Sequence, residues 1–463
     1  MPERNYPPRR RRRRTNYKPI IFTLVIVLLM VSFVALMLHM TGSEPENKTT
    51  EPSAELTQPS TEPSTEVTEP STVPTEPPVT VVGNATIGAT GDMLMHMPCV
   101  NPAKQSDGTY DFTPYFTHFE EYVRAVDYAV ANLETTLAGT GNGYPYHGYP
   151  NFNCPDGIVT SLQEVGFDML LTANNHTYDT GTTGFFRTQQ VLKEHGMDYT
   201  GTRASEEDDN YLIKQIDGVN IGMICYTYET NADPDKVDLN GGADFKDNEK
   251  NLINVFMKKD VATFSQNLER DIANMRADGA EAIVLYIHWG EEYQIKQNAQ
   301  QTAMAQAACD LGVDVIVGGH PHVIQPIDLL TSTTDENHKT VCLYSTGNAL
   351  SNQRREHMNL KTGHTEDGIF FTFSFAKYSD GTVRLENVDV LPLWINLYYS
   401  SATKRNVYDI LPLDSGVEDW KTQMDLTDAS LAKAKASYDR TMAIVGAGLQ
   451  EVQEYLAGLP EIE

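Results

Sequence analysis

The sequence predicts an α/β layered domain displayed beyond a membrane by an N-terminal transmembrane helix. Three observations lead there. Short β-branched runs alternate with amphipathic stretches that stop at glycine. Residues with metal-binding and acid–base chemistry fall just after those runs, where an open α/β sheet presents its ligands. A wholly apolar stretch follows a cluster of arginines near the N-terminus.

Residues 1–19 are basic, with Arg4, Arg9 to Arg14 and Lys18 against the single acid Glu3. Residues 20–38 carry no charge, and a run of this length crosses a hydrocarbon core of about 30 Å. The arginines directly before it place the N-terminus in the cytoplasm and everything beyond residue 40 outside the cell. The run is long for a cleaved signal peptide and no clear small-x-small cleavage site follows. A single-pass signal anchor over 20–40 is therefore expected. Residues 41–79 are mostly Thr, Pro, Glu and Ser. Such a segment buries too little apolar area to offset its ordering entropy, so it reads as a disordered, extended stalk.

The folded domain starts near Val79 and extends over 80–400. Val79–Val82 and Ala85–Gly88 read as strand, ending at Gly91-Asp92. Ile158–Val165 reads as a helix closed by Gly166, and Asp168–Leu171 as a strand. Thr183–His195 is a helix stopped by Gly196, and Ile221–Tyr226 a strand. Phe264–Ala277 is an amphipathic helix ended by Asp278-Gly279, and Ala282–Ile287 a strand. Ala299–Leu311 is a helix with Gly312 after it, and Asp314–Val317 a strand turned by Gly318 and Gly319. Ile369–Phe375 and Val383–Val390 resemble antiparallel strands joined around Asp380-Gly381. Residues 401–463 read as a mostly helical extension.

The chain of 463 residues has a formal net charge of −28, which argues against nucleic acid as a partner. Removing the eight basic residues and one acid of segment 1–40 from totals of 35 and 63 leaves 27 and 62, a net −35 beyond the span. A surface so acidic repels a polyanion unless metals or local lysines offset the charge at the site of contact. The five cysteines contain no Cys-x-x-Cys pair, which excludes a disulfide scaffold and a cysteine-built zinc module. Cys225 and Cys309 sit in apolar patterns and read as core, whereas a Cys99–Cys154 bridge stays open.

The polar residues that carry chemistry gather at strand ends. Asp92 follows the first strand and Glu134 follows Tyr128–Ala131. Asn175 and His176 follow Met169–Thr172, His288 follows Ala282–Ile287, and His320 and His322 follow the last run. Taken singly, each has an ordinary structural explanation: a helix cap, a left-handed turn, a hydrogen-bonded core histidine. Together they place carboxylates, an amide oxygen and imidazoles along one sheet edge, a donor set suited to a transition metal. Tyr226, Tyr228, Glu292, Gln325 and Asn348 lie at the same ends and are candidates for reading a ligand.

The motifs Gly91-Asp92-Met93-Leu94, Asn132-Leu133-Glu134, Ala173-Asn174-Asn175-His176 with Asp179, His288-Trp289-Gly290, Gly319-His320-Pro321-His322 with Gln325, and Tyr344–Asn348 resemble the capsule-synthesis (poly-γ-glutamate biosynthesis) CapA proteins. That resemblance covers roughly residues 83–350. It implies a metallophosphatase-like sandwich of two central β-sheets flanked by helices. It also implies a site for one or two divalent metals (Mn, Zn or Fe). By that pattern Asp92 and His322 serve the first metal, Asn175, His288 and His320 the second, and Glu134 bridges both. His176 stands as a proton donor near the leaving group. Two positions depart from the metallophosphatase pattern: Leu94 stands where a histidine ligand is common, and Glu134 stands where an aspartate is commoner.

The resemblance implies an extracellular partner, a cell-surface polymer that is poly-γ-glutamate or a glycan, and membrane subunits of a synthesis or export complex. Three roles follow: a membrane-anchored component of capsule biosynthesis, export or anchoring; a metal-dependent hydrolase of phosphoesters or polymer; and a non-catalytic polymer-binding subunit.

Overall fold

The apolar runs read from the sequence become the inner strands of two sheets. The structure is a computed structural model that describes residues 78–460, apart from 142, 232–235, 243, 415 and 417–418. The basic N-terminus, the expected anchor over 20–40 and nearly all of the expected stalk therefore lie outside the described residues. Among the described residues, no helix is long and apolar enough to cross a membrane.

In chain order the first strands are β1 (Val81–Met93), β2 (Tyr128–Asn132), β3 (Met169–Leu171), β4 (Asp198–Thr200) and β5 (Leu212–Ile216). Next come β6 (Val219–Glu229), β7 (Val255–Met257), β8 (Ala282–His288), β9 (Val315–Gly319) and β10 (Ile327–Thr331). The last are β11 (Lys339–Leu343), β12 (Asn348–Leu350), β13 (Asp367–Tyr378), β14 (Val383–Ser400) and β15 (Arg405–Pro412). One sheet has the order β15-β14-β13-β1-β2-β3-β4, with β12 also paired to β1. The other has the order β10-β11-β9-β8-β6-β5, with β7 paired to β6. β1, β2, β3 and β4 run parallel, as do β6, β8, β9 and β11.

Strand β8 explains the layering. Side chains alternate across a strand, so Ala282, Val284 and Tyr286 share one face and Ile283, Leu285 and Ile287 the other. The first set joins the core between the sheets, with Ile87, Val130 and Met169 of the opposite sheet. The second set packs outward against Phe264 and Leu268 of the helix Val261–Ala277 and Met304 of the helix Ala299–Asp310. A strand buried on both faces reads as a continuous apolar run, which is why it was visible in the sequence. The helices Gly157–Val165 and Gly181–His195 cover the outer face of the first sheet in the same way. Both end on a glycine in the left-handed region, Gly166 at φ 111° and Gly196 at φ 67°.

Three expectations change. The strand expected to stop at Val390 continues to Ser400 and turns back as β15, so the boundary placed at residue 400 falls within a hairpin. Leu393, Trp394 and Ile395 are buried in that continuation, with no turn signal to end it. The expected helical extension accordingly begins with a strand, and its helices are Trp420–Gln423 and Asp428–Ala457. Cys99 and Cys154 are buried free thiols, so the possible bridge between them is not formed.

The helix Asp428–Ala457 is fastened to the first sheet by charge. Asp367, at the start of β13, accepts from Ser437 Oγ (2.6 Å) and from Arg440 Nε and Nη2 (2.8 and 2.7 Å). Burial raises the Asp367 carboxyl above the usual range, and the Arg440 contacts pull it back. Removing one partner of a buried charged pair costs about 3–5 kcal/mol. Arg440→Ala is accordingly expected to lower stability by roughly that amount in chemical denaturation. A loss within 0.5 kcal/mol would show that the helix does not depend on this contact.

Candidate metal centre

Each chemically active side chain leaves the carboxyl end of a parallel strand. Asp92 is the penultimate residue of β1, Glu134 lies two residues beyond β2, and Asn174–His176 in the turn after β3. His288 closes β8, and His320 and His322 follow β9. The backbone is closely packed at these strand ends. A Cβ on Gly91 would lie 1.9 Å from the Gly347 carbonyl oxygen, and one on Gly318 would lie 2.0 Å from that of Tyr344. The turn after β9 then carries two non-glycine residues at positive φ, His320 at 93° and His322 at 55°. Such conformations cost of order 1–3 kcal/mol each and persist where the surroundings enforce them.

The enforced turn delivers two overlapping groups. Glu134, His288 and His320 form one; Asp92, Glu134 and His322 form the other; within each, one ligand atom per residue lies within 4.8 Å of the rest. Asn175 adds its Oδ1, 2.6 Å from His288 Nε2. Both carboxylate oxygens of Glu134 are buried without a hydrogen-bond partner among the described residues, and so is His320 Nδ1. The nearest imidazole nitrogens to Glu134 Oε1, from His288 and His322, stand at 3.5 and 3.8 Å. Burying a carboxylate unpaired costs several kcal/mol. A divalent cation would supply the missing partner, and carboxylate, imidazole and amide oxygen suit Mn, Fe or Zn. The residues present therefore fit one or two metal ions.

The metal-free electrostatics agree. Burial alone would lower His322, but the Glu134 charge and the hydrogen bond and charge of Asp92 (Nδ1 to Oδ2, 3.0 Å) raise it to about 9. Burial alone would raise Asp92, but His322, His288 and Asn132 hold it below the ordinary value. His320 is driven well below its usual range by burial and by the charges of His288, His322 and Lys258. One imidazolium thus partly balances two carboxylates, and a metal would displace that proton.

Amides behind the ligands fix their orientation. The backbone N–H of His176 donates to Asn174 Oδ1 (3.1 Å). Asn174 Nδ2 then donates to Leu133 O (2.9 Å) and Asn132 Oδ1 (3.0 Å), and Asn132 Nδ2 donates to Asp92 Oδ1 (2.8 Å). A backbone amide can only donate and a carbonyl can only accept, so the direction of the whole chain is set. In the sequence, the only signal for Asn132 and Asn174 is adjacency to Glu134 and Asn175 within the motifs. His176 Nδ1 pairs with Asp179 Oδ2 at 2.7 Å, and the His176 ring stands edge-on to Phe152.

The remaining candidates separate. Tyr228 belongs at the site: its ring centroid lies 4.7 Å from that of His320. Glu292 is exposed on the rim, where its charge reaches His322 and Tyr293. Asn348 is wholly buried and acts behind the ligands, donating from Nδ2 to the His322 carbonyl (3.2 Å). Tyr226 is a correction: its hydroxyl donates to Asp271 and its ring packs outward against Phe264. Gln325 is another: it is buried, donating to the Gln294 and Lys296 carbonyls and accepting from Gln301, so it shapes the loop after β8 and reaches no ligand. Leu94 is buried and its side chain has no donor atom, so the Asp92 group could offer a metal three side chains. His96 stays outside both groups, with Nδ1 against the Leu94 carbonyl and the Asn352 amide.

Fold and site together define a class, a two-sheet α/β sandwich with helices on its outer faces that holds buried groups able to bind metal where the strand ends meet. Within that class the chain belongs to the family of bacterial capsule synthesis proteins (PGA_cap), whose model matches residues 86–353. The chain is similar to the capsule biosynthesis protein CapA of Bacillus anthracis, 28% identical over 271 residues, which are 58% of this chain and 60% of that protein. It is also similar to the PGA biosynthesis protein CapA of Bacillus subtilis (strain 168), 25% identical over 357 residues, 74% of this chain and 83% of that protein.

The sharing of Glu134 has a measurable consequence. In a Mn²⁺ titration followed by calorimetry, Glu134→Ala is expected to abolish both equivalents, whereas His288→Ala and His322→Ala each weaken one. At a free metal concentration of about 100 times Kd, binding stabilises the folded chain by about 2.7 kcal/mol, a gain the Glu134 variant lacks. Undiminished Mn²⁺ uptake by Glu134→Ala would contradict the assignment.

Proposed function

We propose that this chain takes part in making, exporting or anchoring a capsule-type cell-surface polymer such as poly-γ-glutamate, and that it works on the polymer through a divalent-metal site. The buried, unpartnered Glu134 carboxylate shared by two histidine-containing groups is the observation that carries this reading. The role in capsule and poly-γ-glutamate biosynthesis is supported by the names of the relatives. The anchor at residues 20–38, with the domain outside the cell, belongs to the same proposal and rests on the arginine-flanked apolar run.

The chemistry we propose is hydrolytic. A divalent metal held by Glu134, His288, His320 and Asn175, or by Asp92, Glu134 and His322, would supply Lewis-acid chemistry, making water more acidic and offsetting developing oxyanion charge. His176 supplies the proton. Its Nδ1 is engaged by Asp179, which leaves Nε2 to give or take a proton, and Phe152 packs edge-on against the ring to hold it. A neutralised site also resolves the charge problem of a strongly acidic protein meeting an anionic polymer. A second reading, a polymer-binding subunit without turnover, is favoured by one specific feature: Leu94 leaves the Asp92 group a ligand short of the other.

Incubating the metal-loaded full chain with γ-linked polyglutamate, and following chain length by gel electrophoresis, separates the two. Turnover that falls at least 100-fold in His176→Ala, with metal content unchanged, is the expected result. Retained polymer binding with no turnover in the unaltered chain would establish the binding reading instead. Elemental analysis finding no metal under replete conditions would remove the metal from both.

A further inference from the structure

We infer that Asn240, on the loop following β6, is a positioning residue for the metal centre: it holds the Asn175 amide so that oxygen, not nitrogen, faces His288. This inference rests on the metal reading of the site.

The argument starts from a backbone carbonyl. Asn240 Nδ2 donates to the main-chain oxygen of Asn175 at 3.0 Å. A carbonyl oxygen can only accept, so this contact fixes which end of the Asn240 amide is nitrogen. Its Oδ1 must then point at the Asn175 side chain, where it accepts from Nδ2 at 3.0 Å. The Tyr228 hydroxyl donates to the same Oδ1 at 3.3 Å, and both donors are consistent with one orientation. Asn175 is left one way round, with Oδ1 2.6 Å from His288 Nε2. An amide nitrogen has no lone pair free for a metal, so a reversed Asn175 would remove a ligand from the Glu134–His288–His320 group.

The latch is anchored from outside the site. Phe245, further along the same loop, stacks on Tyr178 with ring centroids 3.8 Å apart. Tyr178 Oη donates to Glu249 Oε2 at 2.5 Å, and Leu239 beside Asn240 is buried. Asn240 sits at φ 57°, a left-handed position where asparagine is among the few tolerated non-glycine residues. The residue itself is exposed, so no part of the core depends on its side chain. Tyr228 ties the latch to the ligands, because its ring also lies 4.7 Å from that of His320.

Outer-shell partners of metal ligands typically change affinity by about 10–100-fold when removed. Titrating the full chain with Mn²⁺, Asn240→Leu is expected to weaken one equivalent about 10-fold; leucine at φ 57° also lowers folding stability, which a titration of the folded chain does not read. Asn240→Asp keeps an acceptor for Asn175 Nδ2 but sets its second oxygen against the Asn175 carbonyl where Nδ2 donated, so it should recover part of the affinity and fall between Asn240→Leu and the unaltered chain. In an Asn175→Ala background the Asn240→Leu change should have no further effect. Three results overturn the inference: Asn240→Leu binding Mn²⁺ like the unaltered chain, Asn240→Asp as weak as Asn240→Leu, or an undiminished effect without Asn175. Absence of Mn²⁺ binding by the unaltered chain overturns the metal reading and this inference together; an unaffected Asn240→Leu overturns the positioning role alone.

Discussion

A single carboxylate governs the site. Glu134 lies fully buried where the carboxyl ends of the two sheets converge, and neither of its oxygens has a hydrogen-bond partner among the described residues. Folding does not leave a charged group so placed unless something else compensates it, because the desolvation of an unpaired carboxylate costs several kcal/mol. His288 and His320 approach from one side and Asp92 and His322 from the other, so the geometry of both groups is defined by their distance from Glu134. The two-sheet architecture is what brings them together, since Asp92 and Glu134 belong to one sheet and the histidines to the other.

Holding that convergence requires directionality as well as proximity. Two chains of amides provide it, one running from the His176 backbone through Asn174 and Asn132 to Asp92, the other from the Asn175 carbonyl through Asn240 back to the Asn175 side chain. In both, a backbone group that can only donate or only accept sets the sense of every link. The strained backbone at His320 and His322 belongs to the same design, with Asn348 holding the His322 carbonyl from behind. Leu94 marks the limit of the symmetry: the Asp92 group could offer a metal three side chains, whereas the other could offer Asn175 in addition to Glu134 and two histidines.

Much of this was legible in the sequence, for identifiable reasons. β8 and β9 announced themselves because burial on both faces leaves no polar interruption, and the helices because glycine stops them. The ligand candidates stood out because parallel strands expose their chemistry at one end only. β4, β7 and β12 were hidden because three residues carry no periodicity, whereas the equally short β3 is marked by its apolar Met-Leu-Leu run just after a helix closed by Gly166; β15 was hidden because its first half is exposed and its second buried. Tyr226 shares a face with Tyr228, two residues on, and only Tyr228, next to last in β6, is close enough to the strand end to reach the histidines. Asn240 left no trace at all: it lies 65 residues from Asn175 in an irregular loop, and only folding joins them.

The most direct test of the central claim is anomalous diffraction from crystals of the protein grown with Mn²⁺. Two manganese peaks are predicted, each bonded to a Glu134 carboxylate oxygen, one beside His288 and His320 and the other beside Asp92 and His322. Manganese absent from Glu134, or confined to one of the two groups, would contradict the claim that this carboxylate serves both.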